Sequence, residues 1–250
     1  MKFRSILLAG LVALAPFSAF AAGPSPLATV FNEMLSPVVQ LNRSCSASVI
    51  RSDIDLVSLE TTTILLTAKH CVADSRNKTQ DVYVPVYQGN RIVREDLYKA
   101  KVRSVSVDYD LALVQLIDKT ATLPTVQLAP SDVALFEGEE TWTVGWPKGL
   151  VRTITSGSFG NRADMPYPDP SKDTEYFRST PSITGGNSGG ALFHKTQSGV
   201  YEQIGVTSAG FRDVEFMNFY VPIDQIHVYL IKDKTLVDPS KLVISQRSAS

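Results

Sequence analysis

The chain has 250 residues, with 24 basic and 25 acidic side chains and a formal net charge of −1. This balance gives no basic surface of the kind that binds DNA or RNA, so we expect no nucleic-acid partner. The length, with 44% hydrophobic residues, allows a sizeable core in one or two compact units.

Residues 1–21 have the pattern of a secretory signal peptide. Lys2 and Arg4 precede an apolar run of about ten residues, and Ala-Phe-Ala follows at residues 19–21. The run is shorter than the roughly 20 residues that cross a bilayer, with a retained anchor as the alternative. We therefore expect a secreted or periplasmic protein that makes no membrane contact once the signal is removed.

Short β-rich segments dominate the rest of the chain. Candidate strands lie at residues 46–51, 55–60, 63–67, 81–88, 100–107, 111–117, 140–145, 151–158, 190–194, 201–209 and 216–222. Many short strands at regular spacing are typical of a barrel or a sandwich. A helix is indicated after Pro222, where Ile223, Ile226 and Leu230 recur on one face, and a weaker helical pattern covers residues 27–35.

Turn-rich segments separate these strands. Residues 121–134 are predicted to link two β units, and residues 161–175, which include three prolines, are predicted to form a surface loop. The polar tail at residues 237–250 is expected to fray.

A glycine-rich segment at residues 184–191, Thr-Gly-Gly-Asn-Ser-Gly-Gly-Ala, surrounds Ser188. A serine hydroxyl acts as a nucleophile only with a base and an oxyanion site beside it. Glycines let successive backbone N–H groups point at one spot, so the amides of Gly186 and Ser188 could hold an oxyanion. A plain glycine-rich turn is the alternative.

Two further segments carry groups that could activate this hydroxyl. An apolar strand ends in Thr-Ala-Lys-His-Cys at residues 67–71 and delivers His70 beside Cys71, which suits a positioned base. Asp108 and Asp110 lead into a buried strand, where a carboxylate is costly unless it is paired. Either acid could be a solvated turn residue, and Asp108 fits that interpretation better.

The cysteines and histidines are few. Cys45 and Cys71 are the two cysteines; they can pair in an oxidising compartment, or they can remain buried thiols. The three histidines, His70, His194 and His227, show no metal-ligand spacing, so we expect no metal and no cofactor.

Taken together, the three motifs resemble the trypsin/chymotrypsin superfamily of serine proteases. Its members carry Thr-Ala-x-His-Cys, Asp-x-Ala-Leu and Gly-x-Ser-Gly-Gly in this order, and here His70, Asp110 and Ser188 occupy those motifs. Gly-Asn-Ser-Gly-Gly, and Trp-Pro-Lys-Gly-Leu at residues 146–150, are more similar to a bacterial branch, the high-temperature-requirement and glutamyl endopeptidase groups. The resemblance spans residues 38–235.

The resemblance implies an all-β fold of two six-stranded antiparallel β-barrels with a C-terminal helix. The first barrel would cover residues 38–120 and the second, with the helix, residues 135–236. Residues 121–134 would link the barrels, and an N-terminal segment at residues 22–37 would precede them.

The resemblance also implies a serine endopeptidase that cleaves polypeptides through an acyl-enzyme and works as a monomer. The residues that it implies are His70, Asp110 and Ser188 as catalytic groups, Gly186 and Ser188 as the oxyanion hole, Ser182, Ser208, Gly210 and Asn218 as substrate-binding residues, and Cys45 with Cys71 as a disulfide. Neither Ser182 nor Asn218 is charged, so a strong preference for Arg or Lys side chains is not expected.

Two other functions fit parts of the sequence. A non-catalytic binding protein could use the same fold. An α/β-hydrolase esterase could use the Gly-x-Ser-x-Gly pattern at residues 186–190 with a later acid and His227, but no helix is predicted after the serine, as that fold requires.

Overall fold

Antiparallel strands are the main regular elements of the computed structural model, which describes residues 26–75, 77–88, 91–165, 174–211 and 216–235. The first six strands are β1 Val38–Leu41, β2 Cys45–Ile54, β3 Thr61–Thr67, β4 Gln80–Gln88, β5 Arg91–Val105 and β6 Ala112–Leu116. The next six are β7 Glu140–Gly145, β8 Thr153–Met165, β9 Thr174–Ser179, β10 Ala191–Lys195, β11 Tyr201–Gly210 and β12 Asn218–Pro222. The predicted signal peptide and the tail at residues 237–250 lie outside the described residues.

Each group of six strands closes into its own barrel. The first barrel has the order β1-β2-β3-β6-β5-β4 and the second the order β10-β11-β12-β9-β8-β7. Neighbouring strands are antiparallel, and β1–β4 and β10–β7 pairs close the two rings. The predicted two-barrel fold is therefore confirmed. An α/β-hydrolase is excluded, because the chain after Ser188 enters strand β10 rather than a helix.

Strand β6 shows how the barrels meet. Ala112 and Val114 face the core of the first barrel, whereas Leu111 and Leu113 pack in the cluster that fills the second. Successive side chains of a strand point to opposite faces, so a strand at the interface is apolar on both. Asp110, two residues before this strand, therefore enters at the junction of the barrels.

Both predicted helices are present. Helix α1, Pro26–Val30, continues as one π-helical turn over Phe31–Leu35. Helix α2, Ile223–Lys232, buries Ile223, Ile226 and Leu230 against the second barrel, which is the face that the sequence pattern indicated. Neither helix in the described ranges is long and apolar enough to cross a membrane.

One predicted strand and the start of one predicted loop are wrong. Residues 55–60 form a turn, in which the Asp55 N–H donates to the Glu60 carbonyl at 2.9 Å. The loop predicted at residues 161–175 begins only after β8, which continues to Met165, and strand β9 starts at Thr174. Both segments carry turn-forming or polar residues, and whether such residues form a strand depends on cross-strand pairing rather than on local preference.

Candidate active site

His70 is held by a short, covalently anchored turn. Strand β3 ends at Thr67, and a 3₁₀ turn at Lys69–Cys71 carries His70. A disulfide joins Cys71 to Cys45 at the start of β2, with 6.1 Å between the Cα atoms. The predicted pairing of the two cysteines is thus confirmed, and it ties the histidine turn to the neighbouring strand.

Asp110 bonds this turn twice. Its Oδ1 accepts the backbone N–H of His70 at 3.0 Å, and its Oδ2 lies 2.8 Å from His70 Nδ1. The Ser208 hydroxyl donates to the same Oδ2 at 2.6 Å. Asp110 is only 3% exposed, and a buried carboxylate needs such partners. Burial raises its pKa, but the contacts with His70 and Ser208 outweigh burial and hold the pKa below its usual value.

This pairing fixes the protonation pattern of His70. An ionised carboxylate only accepts hydrogen bonds, so Nδ1 carries the proton and Nε2 is left as the basic nitrogen. Burial lowers the pKa of His70, but the hydrogen bond with Asp110 and its negative charge together raise the pKa by more than burial lowers it. The pKa of His70 therefore lies above its ordinary value. His70 is therefore oriented and made more basic.

Ser188 sits in a loop whose backbone is bonded on both sides. The Ser188 carbonyl accepts the Ser46 N–H at 2.8 Å, and the Gly189 N–H donates to Thr207 at 2.8 Å. Gly186 and Gly189 have φ values of 102° and 81°, which residues other than glycine rarely adopt. The glycines around the serine are thus required by the turn itself.

Two backbone amides in this loop are oriented by the carbonyls of their own peptide units. The Gly185 carbonyl accepts from the Lys148 N–H at 2.6 Å, and the Asn187 carbonyl accepts from the Gly190 N–H at 2.9 Å. Because C=O and N–H of a trans peptide point in opposite directions, the N–H groups of the following residues, Gly186 and Ser188, face away from these bonds. Among the described residues neither amide has an acceptor.

Ser46, which follows Cys45, connects the first barrel to this loop. Its hydroxyl donates to the Gly186 carbonyl at 2.8 Å and accepts the Trp146 N–H at 2.9 Å. Its carbonyl accepts from the Thr67 hydroxyl at 2.7 Å, just before the histidine turn. The sequence alone gave no signal for this residue, because its bonds reach across the two barrels.

The histidine and serine segments meet at the disulfide. The Cys71 sulfur lies 3.6 Å from the Ser188 carbonyl oxygen. The described residues include no hydrogen bond between the His70 ring and the Ser188 hydroxyl; such bonds are often long in an enzyme without substrate and tighten when it binds.

A cleft of about 690 Å³ opens beside Ser188. Three of the four predicted substrate-binding residues, Ser208, Gly210 and Asn218, line it. Ser208 also supports Asp110, which was not foreseen. Asn218 is 5% exposed and donates to the Pro181 carbonyl at 2.8 Å, so it forms part of a fixed wall.

Ser182, the fourth, is not among the residues that line this cleft. It lines a separate cavity of about 280 Å³, while its neighbour Ile183 lines the cleft. The prediction counted back from Ser188 without gaps, and a loop has no fixed side-chain period that would justify such counting. An isoleucine in place of a serine makes this end of the cleft apolar.

One group of potential metal ligands occurs in the described part of the chain. The ligand atoms of Cys45, His70 and Cys71 lie within 4.8 Å of one another. The two sulfurs are bonded to each other, so they are not thiolates that could bind a metal ion.

Comparison with known proteins agrees with this geometry. Residues 45–200 match the family model of the trypsin-like peptidase domain. The chain belongs to this family. The match runs from β2 through β10 and contains His70, Asp110 and Ser188.

Individual relatives belong to the HtrA/Do group. A periplasmic serine protease do/HhoA-like protein of Haemophilus influenzae is 34% identical over 112 residues, covering 45% of this chain and 23% of that protein. Protease Do-like 14 of Arabidopsis thaliana is 31% identical over 168 residues, which cover 65% of this chain and 36% of that protein. This chain thus spans well under half the length of these two relatives.

This chain superposes on a solved HtrA-type protease with a tripeptide with a TM-score of 0.61 and 20% sequence identity. The superposition covers 82% of this chain and 62% of the protease chain. At this identity the likeness shows the fold alone. The predicted resemblance to the trypsin-like superfamily and to its high-temperature-requirement group is confirmed.

Proposed function

We propose that this chain is a serine endopeptidase that hydrolyses peptide bonds through an acyl-enzyme. The observation that carries the proposal is the hydrogen-bonded pair of His70 and Asp110 beside a loop that holds Ser188 and two amides without acceptors. A base, a nucleophile and an oxyanion site are the parts that acyl transfer needs.

In the proposed mechanism, the Ser188 hydroxyl attacks the scissile carbonyl while His70 Nε2 takes its proton. Asp110 keeps Nδ1 protonated and stabilises the imidazolium that forms. The amides of Gly186 and Ser188 bind the oxyanion of the tetrahedral intermediate. His70 then protonates the leaving amine, and a water molecule, deprotonated by His70, hydrolyses the acyl-enzyme.

The cleft supports a preference for an apolar side chain before the scissile bond. Ile183 lines it, and a Cβ on Gly210 would lie 3.4 Å from Ile183 Cδ1, so the space at this end is shallow. No described carboxylate lines the cleft that could pair with an Arg or Lys side chain. We therefore expect substrates with small to medium apolar residues at this position.

We also propose that the protein acts outside the cytoplasm. The signal-like pattern of residues 1–21, the disulfide and the periplasmic location named for the Haemophilus influenzae relative support this. The monomeric state and the absence of a nucleic-acid partner stay predictions from the sequence.

Cleavage of an unstructured protein such as casein tests the activity. Wild-type protein should produce fragments, and Ser188→Ala should not, because the nucleophile is removed. Ser198→Ala is the matched control, since Ser198 lies exposed in the turn between β10 and β11 and bonds only the Thr196 hydroxyl there.

Full cleavage by Ser188→Ala would contradict the proposal. A folded wild-type protein that binds casein without cutting it would favour the non-catalytic binding protein instead. Circular dichroism shows whether each variant is folded.

A further inference from the structure

Among the described residues, a single charged side chain lines the cleft beside Ser188. Of its described lining residues only Lys148 is charged, and the others are apolar, hydroxyl-bearing, amide or glycine residues. Asp110, the acid of the His70 pair, is buried and hydrogen-bonded to that histidine, so among the described residues Lys148 is the exposed charge at the cleft.

Lys148 is held firmly in place by its backbone. Its φ of 56° is in the left-handed region, which is unusual for a residue with a long side chain. Its N–H donates to the Gly185 carbonyl at 2.6 Å, so the same residue orients the Gly186 amide. The next residue, Gly149, packs so tightly on the first barrel that a Cβ there would overlap the Arg43 carbonyl.

The ammonium of Lys148 has no ion-pair partner among the described carboxylates. Some exposed lysines are already paired and so are not available in this way: Lys99, Lys119 and Lys232 each contact a carboxylate at 2.8 Å or less. An unpaired, positioned cation in a cleft is available to an anionic group of a ligand.

The residues that form the walls of the cleft indicate where an anionic group of a ligand would lie. Ser208, Gly210 and Asn218 from β11 and β12 form one wall, which includes the shallow apolar end near Ile183. Lys148 comes from the turn after β7, which packs on the first barrel through Gly149. Because the two regions belong to different segments of the chain, we expect them to contact different parts of a bound substrate.

We propose that Lys148 selects substrates with a carboxylate side chain on the leaving-group side of the scissile bond. This inference rests on the proposed endopeptidase function and narrows its substrates to peptides with an apolar residue before the bond and an Asp or Glu after it. Because Lys148 is exposed, the gain is modest: about threefold in kcat/KM for Glu over Gln at low salt. It shrinks as salt screens the charge.

The test uses quenched fluorescent peptides of one sequence, with Glu, Gln or Lys at each of the first three positions after the scissile bond. In wild-type protein, Glu should be preferred to Gln, and Gln to Lys, at one of these positions. Lys148→Asn should bring the Glu/Gln ratio to about one, and Lys148→Asp should reverse the order of Glu and Lys. Asn and Asp suit the left-handed backbone, so the turn is preserved.

Lys101→Gln serves as the control, because Lys101 is an exposed lysine of β5 outside the cleft and its loss should leave the Glu/Gln ratio unchanged. Equal rates for Glu and Gln peptides at all three positions in wild type, or an undiminished preference in Lys148→Asn, would overturn the inference. If wild type cleaves none of the peptides, the proposed function fails by itself. In that case fluorescence anisotropy measures how tightly the Glu and Gln peptides bind to Ser188→Ala and to the double variant Ser188→Ala, Lys148→Asn. This binding comparison tests the inference separately from cleavage.

Discussion

The two halves of the candidate site are held by different forces. On the first barrel, a disulfide and a buried carboxylate fix His70. On the second barrel, Ser188 is fixed by neutral backbone hydrogen bonds and by glycines with positive φ. Changes in the first half should therefore alter protonation and stability, and changes in the second should alter how well the transition state is held.

Hydrogen bonds also connect the two halves in both directions. Ser208 on the second barrel donates to Asp110 on the first, and Ser46 on the first barrel donates to Gly186 on the second. Neither barrel forms the site alone. The comparison can thus be tested by variants on each side and by variants at these crossing bonds.

The largest effect is expected on the histidine side. Asp110→Asn should lower kcat by about 10⁴-fold, because an amide supports the wrong tautomer of His70 and cannot stabilise its cation. Steady-state kinetics on a peptide substrate measures the loss. Asp108→Asn, which changes a surface carboxylate paired with Lys232 at 2.8 Å, should stay close to wild type. A loss under tenfold in Asp110→Asn would contradict the account.

The disulfide should dominate the stability of this half. Replacing Cys45 and Cys71 together by serine opens a loop between residues 26 positions apart. On the chain-entropy model this lowers the free energy of unfolding by about 3–4 kcal/mol. Urea denaturation of oxidised wild type and of the double variant gives the difference. A change below about 1 kcal/mol would mean that packing alone holds the histidine turn.

Ser46 tests the nucleophile side. Ser46→Ala removes the bond to the Gly186 carbonyl and leaves the buried Trp146 N–H without its acceptor. We expect kcat to fall about tenfold with little change in KM, less than the loss of a whole oxyanion donor. Ser48→Ala is the matched control, since Ser48 is equally buried on the same strand and its hydroxyl has no partner. Equal losses in both variants would point to a general packing defect.

The smallest effect is a shift in the pH profile. Activity requires neutral His70, so it is present above the pKa of His70 and is lost as the pH falls through it. Since Asp110 raises that pKa above its ordinary value, the acid limb of kcat/KM should have its midpoint above about pH 6.5. In Asp110→Asn only burial remains, and an NMR titration of His70 should give a pKa below about 6.5. A pKa that does not fall in this variant would show that Asp110 is not what raises it.

Sequence reasoning reached the parts of this site that have a local signature. His70, Asp110 and Ser188 each lie in a short motif. The spacing of the strands indicated a barrel or a sandwich, and the family resemblance implied two barrels. The roles of Ser46 and Lys148 depend on which strand or loop lies opposite, and no local pattern encodes that register. The position of Ile183 was missed because the loop before Ser188 has no regular spacing.

The two unpredicted strands have a similar cause. Strand β1, Val38–Leu41, has four residues that are all buried, so it shows no alternation of polar and apolar residues. Strand β9, Thr174–Ser179, follows a proline-rich segment that dominated the local pattern. Both are strands because their neighbours bond them.

The central claim, that Ser188 is activated by His70 and Asp110, is tested most directly by covalent labelling. A fluorophosphonate reacts only with a serine that has a working base beside it, and mass spectrometry of the digested protein locates the adduct. We expect one adduct, on Ser188, in wild type and almost none in His70→Ala at the same reaction time. Folded wild-type protein that stays unlabelled, or that is labelled equally fast without His70, would contradict the account.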